Sequence, residues 1–114
     1  MVVFFRRKKF QKICNSQSVM LCEFGKKQAQ KLQQRLMELK AATNLDEISK
    51  VPPPRCHELS ANRKGQISVD LDHPYRLIFI PANDPVPVKP DGGPDWAAVA
   101  AVTAVEILEI ADTH

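Results

Sequence analysis

The sequence predicts an α+β fold in which two N-terminal helices pack on a small antiparallel β-sheet. Three observations support this prediction. Apolar residues recur at helical spacing in the first part of the chain, they alternate at strand spacing in the last part, and three consecutive prolines, Pro52 to Pro54, separate the two. The chain has 114 residues, which is typical of one domain, so we expect residues 1–114 to fold as a single unit.

The first half of the chain predicts one strand followed by two helices. The apolar run Val2–Phe5 is typical of a short strand. From Arg7 onward, apolar residues at positions i, i+3 and i+4 predict a short helix, which weakens at Asn15. The stretch Gly25–Ala42 predicts the clearest helix, because its apolar residues recur at helical spacing among polar ones. These apolar residues are Ala29, Leu32, Leu36 and Leu39.

The second half predicts strands. Apolar and polar residues alternate over Ile67–Leu71, and Tyr75–Ile80 follows after a turn, so the two stretches predict an antiparallel hairpin. The continuously apolar stretch Val102–Asp112 predicts a central strand. Between them, Pro81–Pro94 is too rich in proline for a central strand and predicts a long loop. The predicted order is β-α-α-β-β-β, to which a short strand at Cys56–Leu59 can be added.

The charge is unevenly divided along the chain. The formal net charge is +3, but residues 1–50 carry 11 Lys and Arg against 4 Asp and Glu, a net charge of +7, whereas residues 51–114 carry 5 against 9, a net charge of −4. A basic half suits a polyanionic partner such as RNA, or an acidic protein. The alternative is a solvated helical face rich in lysine. The cations of the predicted long helix that would contact RNA are Lys26, Lys27 and Lys31.

The composition argues against several other classes of protein. No apolar stretch approaches the roughly 18 residues of a membrane span, and the order of Val2–Phe5 and the basic run after it is the reverse of a signal peptide. We therefore expect a cytoplasmic protein that does not contact a membrane. The chain has an odd number of cysteines and no CxxC motif, which predicts neither a disulfide framework nor a structural zinc site. The three cysteines are Cys14, Cys22 and Cys56.

Arg76 is the first candidate for chemistry. Strand alternation places it on the face opposite Leu77 and Phe79, so its side chain would lie on the face that the helices do not cover. An arginine inside a sheet strand suits the binding of a phosphate or of a phosphorane-like transition state. The alternative interpretation is a cross-strand ion pair with Asp70.

Further candidates are a pair of cations and the histidines. Arg63 and Lys64 precede Gly65 at the mouth of the hairpin, where they could approach a nucleic-acid backbone; the alternative is an exposed turn. Histidine is the side chain that titrates near neutrality without tuning, so each histidine is a candidate acid or base. The histidines are His57, His73 and His114.

Four stretches, taken in this order, resemble the RelE/HigB-like toxins, the small toxic partners of bacterial type II toxin–antitoxin systems within the RelE/ParE superfamily. The resemblance covers nearly the whole chain, and its specific parts are a His-x-Leu, an Arg-Lys-Gly, a Tyr-Arg-Leu-Ile-Phe and an Asp-x-His ending. The four stretches are Pro53–Leu59, Asn62–Val69, Pro74–Phe79 and Val105–His114.

The resemblance implies a ribosome-dependent mRNA endonuclease, or mRNA interferase, which uses the 2′-OH of its substrate as the nucleophile and needs no metal or cofactor. In that interpretation Arg76 would stabilise the phosphorane, Lys64 would hold phosphate and His114 would act as acid or base. RNA contacts are assigned to Arg63, Arg55 and His57, together with the three lysines of the long helix. Thr113 stands where the family often has an aromatic residue.

The same resemblance implies particular partners. These are mRNA on the ribosome and a helix-turn-helix antitoxin (HigA-like), and a homodimer is allowed. Two other functions remain open at this point. One is a ParE-like inhibitor of DNA gyrase, which would require neither Arg76 nor His114, and the other is a non-catalytic toxin–antitoxin binding protein.

Overall fold

A computed structural model describes residues 1–83 and 100–113, and it has two helices and a five-stranded sheet. The predicted α+β class is therefore confirmed. The elements in chain order are strand β1 (Val2–Phe5), helices α1 (Lys8–Cys14) and α2 (Gln17–Ala41), and strands β2 (His57–Glu58), β3 (Ile67–Asp70), β4 (Tyr75–Pro81) and β5 (Ala104–Asp112). Short 3₁₀ turns lie at Leu45–Glu47 and Ala61–Arg63.

The sheet is mixed rather than wholly antiparallel. Its strand order is β1-β5-β4-β3-β2, and the four strands from β2 to β5 are antiparallel as predicted. The prediction is wrong for β1, which pairs in parallel with β5. Adjacent strands joined by a tight turn must be antiparallel, but β1 and β5 lie at opposite ends of the chain, so no turn imposes their direction. Strand β5 was predicted to be central; it lies between β1 and β4, and β4 holds the middle position of the sheet.

The main hydrophobic core lies between α2 and one face of the sheet. Leu32, Leu36 and Leu39 of α2 are buried against strand residues that include Leu77 and Phe79. Burial of one apolar stripe of a helix against one face of a sheet is the expected packing for this class. Residues of opposite parity on the strands form a second, smaller cluster away from the helices, built from Leu59, Ile78 and Leu108.

Helix α2 begins earlier than the sequence predicts. It starts at Gln17, and the Ser16 hydroxyl accepts a hydrogen bond from the Val19 amide at 3.3 Å as an N-terminal cap. Gly25, the predicted start, instead interrupts the helix with φ 79° and ψ 170°. That conformation is essentially restricted to glycine, so the residue marks a break within the element.

Strand β5 contains a β-bulge. Ile107 pairs with Phe79, but Glu109 pairs with Ile78, so Leu108 is an extra residue with no opposite number on β4. Beyond this point the strand continues to pair with β4 as far as Asp112. Most of the predicted loop, residues 84–94, and His114 lie outside the described residues. Neither helix within the described ranges is long and apolar enough to cross a membrane.

Candidate functional site

A cluster of polar side chains lies on the face of the sheet opposite the helices, and it is formed by Arg55, His57, Asp70 and Arg76. The strand registers bring these residues together. Asp70 on β3 pairs directly with Arg76 on β4, and His57 on β2 pairs with Ser68, two residues before Asp70. Since alternate residues of a strand share a face, the cluster lies on one side of three neighbouring strands.

Arg76 lies inside this cluster and is 9% exposed. Its Nε atom lies 3.5 Å from Asp70 Oδ1, and one terminal guanidinium nitrogen lies 3.2 Å from His57 Nε2. Arg76 lies on the face opposite Leu77 and Phe79, so the placement predicted from strand alternation is confirmed. The ion pair with Asp70, which was the alternative interpretation, is present as well, so the carboxylate and the imidazole both contact the same guanidinium.

The hydrogen bonds of His57 define its tautomer. Its Nδ1 lies 2.8 Å from the carbonyl oxygen of Arg55, and because a carbonyl can only accept, Nδ1 must carry the proton and donate. A guanidinium can only donate, so Nε2 accepts from Arg76 through its lone pair. In this tautomer the lone pair of Nε2 faces the guanidinium of Arg76.

Arg55 connects the other members of the cluster. Its backbone has φ 46°, in the left-handed region that non-glycine residues rarely occupy. Its side chain donates to Asp70 Oδ2 at 2.7 Å and approaches Oδ1 at 3.4 Å, and this hydrogen bond raises the pKa of the Arg55 guanidinium. Asp70 also donates its amide to the Pro54 carbonyl at 2.7 Å. The segment that carries His57 is thereby attached to the end of β3.

Arg35 supports the site from the helical layer, and sequence reasoning missed it. It is 3% exposed on α2, and its Nε donates to the Asp70 carbonyl at 2.8 Å while a terminal nitrogen pairs with Glu38 at the same distance. The available signal was an arginine at position 35 beside Leu32 and Leu36, on the apolar stripe of the predicted helix. A charged side chain is almost never fully buried in such a position unless other groups pair with it.

The charged groups described in the cluster are the guanidinium groups of Arg55 and Arg76 and the carboxylate of Asp70, which contacts both of them. Guanidinium groups match the geometry of phosphate, so these two arginines suit an anionic ligand. Cys56 adds no nucleophile, because burial raises the pKa of its thiol to about 11 and the thiol stays protonated at neutral pH.

The other predicted site residues are not among the described contacts of this cluster. Arg63 pairs with Glu109 of β5 at 3.0 Å and with Gln66 at 3.0 Å, so its charge is engaged between strands. Lys64 is exposed at the end of the turn that contains Arg63. The predicted RNA-contacting lysines of α2 are exposed on the helical layer, away from the cluster. They are Lys26, Lys27 and Lys31.

Within residues 1–83 and 100–113, no group of three or more His, Cys, Asp or Glu side chains is arranged to hold a metal ion. The cluster instead combines two guanidinium groups with one carboxylate and one imidazole, and the guanidinium groups are donors that suit an anionic ligand. No protein-family model matches this chain, and no curated protein matches it. Its function therefore has to be argued from the residues of the cluster.

Proposed function

We propose that the protein is a toxin of a type II toxin–antitoxin module and acts as a ribosome-dependent mRNA endonuclease. The observation that supports this most directly is the 3.2 Å contact between His57 Nε2 and the Arg76 guanidinium. It sets the lone pair of a neutral base beside a cation that can bind a phosphate. These are two of the three groups that cleavage of RNA by its own 2′-OH requires. A substrate on the ribosome also implies that the protein acts in the cytoplasm.

The proposed reaction has one displacement step. His57 Nε2 takes the proton of the 2′-OH, the oxygen attacks the adjacent phosphorus, and the bond to the 5′-oxygen of the next nucleotide breaks. The products are a 2′,3′-cyclic phosphate and a 5′-hydroxyl, and a general acid supplies the proton for the leaving oxygen. Arg76 stabilises the negative charge that develops on the phosphorane oxygens. The resemblance implies that His114 acts as acid or base and that Lys64 holds phosphate; with His57 as the base, His114 takes the role of the acid.

Arg55 and Asp70 act in this proposal as positioning residues. The Arg55 carbonyl keeps the proton of His57 on Nδ1, so that Nε2 is free to act as a base. Asp70 orients Arg76 and Arg55 together, because its carboxylate contacts both guanidinium groups. When a phosphate binds, it would replace His57 as an acceptor for Arg76, and the imidazole would then face the 2′-OH.

The basic residues of α2 supply a second part of the proposal. Lys26, Lys27 and Lys31 are exposed on the layer across the sheet from the cluster. They would contact ribosomal RNA or an acidic surface of the antitoxin rather than the scissile phosphate. Contacts of that kind are sensitive to salt. Charge reversal at these three positions should therefore weaken ribosome binding and flatten its salt dependence while leaving the chemistry of cleavage unchanged.

The experiment is induced expression and cleavage of mRNA on purified ribosomes. We expect wild type to produce fragments with 5′-hydroxyl ends, which a polynucleotide kinase can label without prior phosphatase treatment. Loss of a general base costs about 10²–10⁴-fold in rate, so His57→Gln should fall in that range. Loss of an electrostatic stabiliser costs about 10²–10³-fold, so Arg76→Ala should also be severely impaired.

The matched control is His73→Gln, since His73 is an exposed histidine in the turn between β3 and β4. It should cleave like wild type. Cleavage that is equal in His57→Gln and His73→Gln, with both folded, would rule out His57 as the base. Growth arrest without mRNA cleavage would overturn the nuclease proposal and favour inhibition of gyrase, which a supercoiling assay would then detect.

A further inference from the structure

Strand β1 carries apolar side chains on both of its faces. Val3 and Phe5 pack against the main core, as strand alternation requires. Val2 and Phe4 lie on the other face, where a strand with one solvated side ordinarily carries polar residues, and they are 56% and 51% exposed. Neither belongs to a hydrophobic cluster of the described residues, so the core does not account for them.

The strand register places Phe4 on the same face of the sheet as the cluster that contains Arg76. Phe4 pairs with Glu106 of β5, and Glu106 pairs with Ile80 of β4. Residues directly opposite on neighbouring strands share a face, so Phe4 shares its face with Ile80. Ile80 packs with Ile78 in the smaller apolar cluster, and both have the parity of Arg76 on β4. Phe4 and Arg76 therefore both lie on the face opposite the helices.

The distance between these two positions is one that a short RNA can span. Ile80 lies four residues after Arg76, which is about 13 Å along a strand. Phe4 lies on β1, two strands away from β4, which is about 10 Å across the sheet. The diagonal is roughly 16 Å by the same spacings. Stacked nucleotides advance about 3.4 Å each, and extended ones advance further, so a base on Phe4 lies within about five nucleotides of a phosphate on Arg76.

An exposed arginine accompanies the ring of Phe4. Arg6 is 54% exposed and donates to Glu106 Oε1 at 2.8 Å, so its guanidinium contacts the residue that pairs with Phe4. Glu109, the next carboxylate along β5, pairs with Arg63 at 3.0 Å. Exposed ion pairs contribute little, so a phosphate can share the Arg6 guanidinium. An aromatic ring that stacks a base beside a cation that contacts the backbone is the usual means of binding single-stranded nucleic acid.

We propose that Phe4 stacks a base of the RNA at a nucleotide other than the cleaved one, and that Arg6 contacts a phosphate beside that base. The inference rests on the proposed function, because it takes RNA as the ligand of this face. A protein partner suits the surface less well, since an ordinary interface buries about 800 Å² on each side. The exposed apolar surface here comes from two side chains and is bounded by the ion pair of Arg6 with Glu106. Every base has a face that can stack, so this contact adds affinity with little selection of sequence.

The first test measures binding without cleavage. The full chain is titrated into a fluorescein-labelled RNA of about a dozen nucleotides whose 2′-hydroxyls are methylated, so that no nucleophile is available, and anisotropy reports the affinity. Loss of one base–aromatic stack should weaken binding about fivefold or more in Phe4→Leu, and Phe4→Trp should bind like wild type. The matched control is Tyr75→Leu, which removes an aromatic ring that is 46% exposed on the face of Leu77. It should change binding by less than about twofold.

An abasic oligonucleotide of the same length separates stacking from phosphate contacts. It keeps the phosphates but offers no base, so Phe4→Leu and wild type should bind it equally. On ribosomes, Phe4→Leu should raise KM about fivefold and leave kcat within about twofold of wild type, because Phe4 contacts RNA away from the reacting atoms.

The outcomes separate this inference from the nuclease proposal. Cleavage by wild type, with the same RNA affinity and the same KM in Phe4→Leu and Tyr75→Leu, would overturn the stacking contact and leave the nuclease standing. RNA binding that depends on Phe4, without cleavage, would do the reverse. An equal loss of affinity in Phe4→Leu for the abasic oligonucleotide, or no binding of RNA at all, would overturn the stacking contact. Self-association abolished by Phe4→Leu would do so too, because it assigns the exposed apolar side chains to a second copy.

Discussion

Replacing Asp70 by asparagine removes the carboxylate that Arg76 and Arg55 share. Arg76 is 11% exposed at its side chain and Asp70 is 27% exposed, so the guanidinium has little access to water when this carboxylate is removed. Breaking a fully buried ion pair costs about 3–5 kcal/mol, because the remaining charge is left uncompensated. The partial exposure of Asp70 lowers this figure, and we expect Asp70→Asn to lose about 2–3 kcal/mol of unfolding free energy.

The matched control is Glu106→Gln, which makes the same change from carboxylate to amide on another strand. Glu106 pairs with Arg6 at 2.8 Å, a shorter distance than the 3.5 Å between Asp70 and Arg76. Arg6, however, is 54% exposed, and water solvates it when the pair is broken. Exposed pairs contribute about 0.2–1 kcal/mol, so the shorter ion pair should have the smaller effect.

Urea denaturation of both variants and of wild type measures this difference. The slope of unfolding free energy against urea concentration should be the same in all three proteins. Addition of salt should reduce the loss in Glu106→Gln more than the loss in Asp70→Asn, because exposed charges are screened more strongly. Equal losses below about 1 kcal/mol in the two variants would refute the reasoning. The charged side chains of Arg55, Asp70 and Arg76 would then be solvated by water, and burial would not strengthen the binding of an anion there.

The remaining predictions concern buried polar atoms and pH. Ser68 Oγ is fully buried and has no hydrogen-bond partner within the described ranges, so Ser68→Ala should be neutral or stabilise the fold by up to about 1 kcal/mol. Ser16→Ala removes the N-terminal cap of α2 and should destabilise the fold by about 1 kcal/mol. Thermal unfolding should therefore show a lowered midpoint in Ser16→Ala and an unchanged or raised midpoint in Ser68→Ala. Burial raises the pKa of Cys56 from 9.0 to about 11, so the unfolded thiol ionises first as pH rises. Stability present below pH 9 should therefore fall by about 1.4 kcal/mol per pH unit between pH 9 and 11. In Cys56→Ala this contribution to the fall of unfolding free energy with pH should vanish. Urea titrations at several pH values measure it, and the same pH dependence in the variant and in wild type would contradict the raised pKa of Cys56.

Local alternation was sufficient to predict much of the sheet. The hairpin of β3 and β4 and the face on which Arg76 lies follow from period-two patterning over short stretches. The parallel partner of β1 did not follow, because the pattern Val2–Phe5 contains no information about a strand roughly 100 residues later. The early start of α2 was missed because Gly25 divides the helix and the segment before it is apolar on only part of its surface.

The candidate site was predicted in part. The pairing of Asp70 with Arg76 follows from the hairpin register, which the sequence predicts. The contact between His57 and Arg76 depends on β2, a strand of two residues whose register no periodicity can set. Arg35 reaches Asp70 from a different layer, 35 residues away in the chain. Side chains that meet across layers are determined by tertiary packing, which local patterns do not encode.

The single extra residue at Leu108 exchanges the two faces of β5 for the rest of the strand. If Leu108 took an ordinary place in the ladder, strict alternation from Ile107 would turn Glu109 toward Leu77 and the helices, and would turn Ile110 toward Arg76. With the bulge, Glu109 reaches Arg63 and Ile110 joins the core. Two consecutive residues, Leu108 and Glu109, therefore lie on the same side of the sheet, one in the apolar cluster with Ile78 and the other in an ion pair. The bulge lets an alternation that is out of step in the sequence be in step in the sheet.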